Sequence, residues 1–170
     1  MPLDLIDYLK KGKFRFTEAM EEEKRRTESL SEMTKRLIFE LRAFADVLAK
    51  EREYFNRMSA VYDRTILTQE QIQEFRTRAY RLDANIEYMR RLLDPNSKLA
   101  AILDHAKRAT EELKAHGITS DSANNIMHRE LVPSLKDAVK AIDKTTKELD
   151  KMRRQEDQIL KEELAVRRLL

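Results

Sequence analysis

The sequence predicts an all-α fold: an antiparallel up-down-up-down helical bundle in which two long helices extend past the others as a coiled-coil stalk. Three observations carry that expectation. Only two glycines and three prolines interrupt 170 residues rich in Ala, Leu, Glu, Lys and Arg, a composition that favours long helices over sheets. Apolar residues recur in alternating steps of four and three, which keeps one stripe of a helix facing a partner turn after turn. The apolar share is 41% and the charged share 38%, so buried stripes are narrow and the folded unit is expected to be a rod.

Taken in order, residues 1–16 form a short amphipathic helix and a basic, aromatic linker. Leu3, Ile6 and Leu9 share one side with Leu5 and Tyr8 at its flanks, while Asp4 and Asp7 lie opposite. Pro2 suits a first turn, where its missing N–H has no helical partner anyway. Gly12 stops the helix amid Lys10, Lys11 and Lys13, and Phe14, Arg15 and Phe16 follow. The combination of apolar face, cations and aromatics suits a lipid interface. Folding back over the far end of the stalk is the alternative for the same segment, and contact with a partner protein is a third.

Residues 17–170 are expected to be a single bundle domain. A first long helix, 17–62, opens with Thr17 as N-cap and Glu18, Glu21, Glu22 and Glu23 near the positive end of its dipole. Its stripe is Leu30, Thr34, Leu37, Leu41, Phe44, Leu48, Glu51, Phe55, Met58 and Tyr62, flanked later by Ile38, Ala45, Val47, Tyr54 and Val61. Thr68 and Gln71 have capping-box spacing at the start of helix 68–93, whose stripe runs through Ile72, Phe75, Ala79, Leu82, Ile86, Met89 and Leu93.

Asp94-Pro95 reads as N-cap and first residue of a helix over 95–116, with Leu99, Leu103, Ala106, Thr110 and Leu113 inward. Gly117 closes it, and the spacing of Leu113 to Ile118 matches the apolar contact of a Schellman stop. Thr119, Ser120 and Asp121 compete to cap the last helix, 121–170, in which Pro133 is expected to introduce a bend unless the helix starts at Pro133 itself. Its stripe includes Leu131, Leu135, Ala138, Ile142, Thr145, Leu149, Met152, Glu156, Ile159, Glu163, Val166 and Leu170. Short connectors make neighbouring helices antiparallel. The alternative layout is a long three-helix bundle in which 68–116 is one kinked helix.

Charge and chemistry argue by exclusion. There are 34 basic and 31 acidic residues, mixed along the helices in i,i+4 pairs such as Asp143–Lys147 and Asp150–Arg154. That mixture reads as a solvated surface without a one-sided basic face, so nucleic-acid packaging through Arg76, Arg78, Arg81, Arg90 and Arg91 ranks as the third functional reading. The chain has no cysteine, which excludes disulfides and thiolate metal sites. His105, His116 and His128 lack the Glu-x-x-His and His-Glu-x-x-His spacings of helical metal sites, so no metal or cofactor is expected. Glycine-rich phosphate loops and nucleophile elbows are missing as well. Seam carboxylates such as Glu51 are expected to pack their stems while the head group either reaches solvent or meets a cation of a neighbouring helix, and Phe44, Phe55, Tyr62, Phe75 and Tyr80 are expected to fill the core.

The expectation is a non-catalytic scaffold that self-associates or pairs with a helical partner. Leu149, Met152, Ile159, Leu160, Val166, Leu169 and Leu170 form its candidate seam. The second reading is a peripheral membrane-associated or membrane-remodelling protein, binding anionic lipid through Leu3, Leu5, Ile6, Leu9, Lys10, Lys11, Lys13, Phe14, Arg15 and Phe16. In outline it resembles BAR-type domains and the helical hairpins of membrane-remodelling filament proteins, although no family motif accompanies that likeness of shape. No apolar run is long enough to span a bilayer, and a cytoplasmic location is expected.

Overall fold

The computed structural model describes residues 30–62, 68–115 and 117–169, and these are nearly all helical, with no strand among them. Helix α1 covers Leu30–Tyr62, α2 Gln69–Leu92 and α3 Lys98–Lys114. A fourth, continuous helical run begins with α4 (Ser120–Asn125), passes through a π-helical segment (Ile126–Leu131) and continues as α5 (Val132–Leu169). Residues 1–29, including the expected Thr17 cap and the amphipathic leader, lie outside the described residues.

The predicted capping box at α2 is present in full. The Gln71 backbone N–H donates to the Thr68 hydroxyl at 3.1 Å, and the Thr68 N–H donates to the Gln71 side chain at 2.9 Å. The next start differs from expectation: Ser97, not Asp94, caps α3, accepting from the Ala100 N–H at 3.2 Å. Asp94 instead builds the preceding turn. Its carboxylate accepts from Asn96 N–H at 2.8 Å and its carbonyl from Ser97 N–H at 3.0 Å, so Pro95 stiffens a turn rather than opening a helix. The helix also stops earlier than Gly117, at an extended Ala115 cap. Gly117 has φ +76° and supplies the left-handed step of the connector, while Ile118 packs against the core.

Thr119 wins the contest to cap α4, accepting from Ser122 N–H at 3.2 Å. The strain of Pro133 is absorbed upstream of it. Pro133 has no N–H to give to the carbonyl four residues back, and its ring crowds that carbonyl. The preceding turn widens instead: Val132 N–H donates to Met127 O, five residues back, which is the π pattern. The Ser134 hydroxyl donates to the Glu130 carbonyl at 2.7 Å, and the helix continues unbroken into α5.

The core is a file of large side chains from all of these elements, with Phe55, Phe75, Leu82, Ile86, Leu103, Met127 and Leu131 almost wholly enclosed. Phe55 and Phe75 meet edge to face at 5.9 Å between ring centroids, a favoured aromatic geometry. α1 packs most extensively on α5, α2 on α3, and α3 on α5 and the π segment, with a thinner contact between α1 and α2. Because α2 and α3 lie side by side, they are two helices and not one kinked helix. Some positions depart from expectation. Thr146 rather than Thr145 is buried, its hydroxyl donating to the Asp143 carbonyl, and Tyr80 is half exposed on the surface under Lys114.

Candidate interaction surface

The distal part of α5 is where the apolar pattern outlasts the core. Leu149 is fully buried and Met152 packs against the core, so these two seam positions sit inside the molecule. Beyond them the same helix is open: exposure runs from 41% at Ile159 to 87% at Leu169, with Leu160, Leu164 and Val166 between. Leu164 was not singled out by the stripe, because it falls between the four-three stations. Glu163 is exposed too, while Glu156 is half-buried. Leu170 and the ten leader residues from Leu3 to Phe16 lie outside the described residues.

A polar network sits where burial ends. The Ser31 hydroxyl of α1 donates to Asp157 of α5 at 3.1 Å. Arg153 links Asp157 and Asp150, at 3.2 and 2.9 Å, and Arg154 reaches Asp150 at 3.1 Å. The Arg153 hydrogen bond, helped by the charges of Arg154 and Arg42, holds the Asp150 carboxyl below its ordinary range. This arrangement fixes α1 against α5 just before the exposed apolar residues begin.

The other charged clusters tie helices together. Arg90 grips Asp104 through two bonds of 2.6 and 3.1 Å, a forked pairing suited to guanidinium and carboxylate. Asp83 receives Lys114 at 2.8 Å and the Thr110 hydroxyl at 3.3 Å, and that contact raises the Lys114 pKa. Arg78 lies 4.1 Å from the Tyr54 ring centroid and 3.8 Å from Glu51. Burial pushes the Glu51 pKa up, while Arg78 and Arg81 pull it down. Glu51 thus meets cations of the neighbouring helix. Arg78 and Arg90, two of the five arginines considered for nucleic acid, are engaged between helices.

Among the described residues no three histidine or carboxylate side chains gather as a metal site. His105 and His128 are exposed, and His105 lies beside Arg108. No helix among the described residues is long and apolar enough to cross a membrane. Comparison with known proteins finds no matching family model, no matching curated protein and no matching solved structure.

Proposed function

We propose that the chain is a non-catalytic helical scaffold that self-associates through the distal part of α5. In this reading the helices form an up-down-up-down bundle, and the start of α1 and the end of α5 continue together as a two-helix stalk. Several contacts support the layout. Ser31 meets Asp157 of α5 while Ser59 donates to Asn124 of α4, so partners on the run from α4 to α5 retreat as residues on α1 advance. The turn between α2 and α3 reaches α5 beside Ala141, Thr145 and Glu148, where Leu93 and Ser97 line a shared groove. Past that level α5 continues for about 30 Å, at 1.5 Å per residue.

One observation carries self-association: Ile159 and Val166 are exposed at later stations of the same four-three stripe whose earlier members Leu135, Ala138, Ile142 and Leu149 are core. A second copy presents the same face, and an isologous pairing of two such faces closes on itself. Small-angle scattering of the full chain tests the reading. The helical run from Ser120 to Leu169 is about 75 Å long at helical rise, so the expected particle has a longest dimension of at least that and the mass of two chains. A compact particle with the mass of one chain contradicts it.

A further inference from the structure

α5 carries ten basic and eight acidic residues, close to balance by count but not by position. Lys136, Lys140, Lys144, Lys147, Lys151 and Arg154 follow one another in steps of four and three, and Lys161 and Arg168 continue the file; all are exposed. At 100° per residue these eight positions fall within an arc of about 120°, centred nearly opposite Leu135, Ile142 and Leu149, which are buried. The arc encloses Asp143, paired with Lys147 at 2.9 Å; Asp150 and Glu162 stand at its edges. Among the described residues, Lys136, Lys140, Lys144, Lys151 and Lys161 are paired with no carboxylate. Neighbouring helices add to the flanks. Arg42 of α1 shares a shallow depression with Lys147, Lys151 and Arg154, and Lys98 of α3 lines a groove with Lys140 and Lys144, alongside Asp137 and Glu148.

We propose that this basic ridge is a docking surface for an anionic lipid leaflet, with α5 lying along the membrane plane. The shape selects among polyanions. From Lys136 to Arg168 the ridge is about 48 Å long, and cations in one file along a rod can all approach a plane together. Duplex phosphates wind around their axis, so a ridge of this length meets them only at crossings. Single strands are held by stacking on aromatic side chains as well as by charge, and α5 has no aromatic residue. A leaflet rich in phosphatidylserine presents the extended negative potential that such a ridge fits, and docking there requires no membrane-crossing helix.

At the same 100° per residue, Ile159, Leu160, Leu164 and Val166 fall outside the arc of the ridge, while Leu169 falls within it. Cosedimentation of the full chain with phosphatidylserine-rich vesicles tests the proposal, with neutral phosphatidylcholine vesicles as the reference. One variant carries Lys140→Gln, Lys144→Gln and Lys151→Gln, all exposed; circular dichroism checks that it stays helical. A second carries Lys10→Gln, Lys11→Gln and Lys13→Gln. Near an anionic surface each cation is worth about fivefold in partitioning, so the ridge variant is expected to bind roughly 100-fold more weakly, and wild-type binding to fall with salt. Loss in the ridge variant supports the proposal whether or not the leader variant also loses binding. Undiminished pelleting of the ridge variant overturns it. So does a wild-type chain that ignores anionic vesicles, including one that shifts duplex DNA or single-stranded RNA in a gel instead.

Discussion

Phe55 and Val166 are both stations of four-three stripes, yet one is fully enclosed and the other half exposed. The difference lies in their company. Phe55 meets Phe75 edge to face and belongs to the same buried cluster as Leu82 and Leu131; Val166 is one of a run of exposed residues that ends α5. Periodicity therefore identifies the face that seeks a partner, while the lengths of the other helices decide whether the chain itself supplies one.

Substitution breaks the comparison most sharply. Phe55→Ala should cost about 3–5 kcal/mol, the range for emptying a large aromatic site, whereas Val166→Ala should change monomer stability by less than about 0.5 kcal/mol. Urea unfolding followed by circular dichroism measures both, and similar losses at the two sites would contradict the contrast. Next in size is the Asp83 junction. Asp83→Ala leaves Lys114 without its acceptor across the α2–α3 contact, while the Thr110 hydroxyl keeps the Lys107 carbonyl, and is expected to cost about 1–3 kcal/mol in the same assay. Ser97→Ala follows at about 1 kcal/mol, because it removes the N-cap of α3.

How much of this was legible beforehand varied with the physics involved. The stripes of α2 and α3 were read nearly residue for residue, since Phe75, Leu82, Leu103 and Leu113 depend only on helical spacing. The Thr68–Gln71 box was legible because its two bonds are local. Asp94 and Ser97 were not separable in advance: both residue types cap helices, and the choice rested on which one the turn needed. The π turn before Pro133 was missed because a bend and a widened turn relieve the same clash. The basic ridge escaped for a different reason. Counting charges along the chain averages over the helix, and only sorting them by angle shows Lys140, Lys144 and Lys151 on one side. Of the seam residues, Leu149 and Val166 were not separable in advance, because both are stations of one stripe and only the packing of other elements encloses the first and leaves the second exposed.

The smallest effect sharpens the contrast between enclosed and open carboxylates. Burial raises the Glu51 pKa in the folded chain, so the folded state holds a proton that the unfolded state has released. Stability from this group is therefore greatest below its unfolded pKa and is lost as pH rises toward its folded one. Glu51→Gln is expected to remove that decline, visible as a difference between wild-type and variant urea midpoints across weakly acid pH. Asp150 has the opposite sign: Arg153 lowers its pKa, so its contribution is present above its ordinary value and fades as pH falls below it. Parallel wild-type and Glu51→Gln profiles would show that the carboxylate is not confined as described.

The account turns on whether the open end of α5 is a meeting place between copies. Static light scattering of the full chain and of an Ile159→Glu, Val166→Glu variant measures this directly. Both substitutions fall outside the enclosed core, so each chain keeps its helical signal. Twice the 20.1 kDa chain mass for the wild type and a single chain mass for the variant is the predicted result. Equal masses for the two proteins would contradict it.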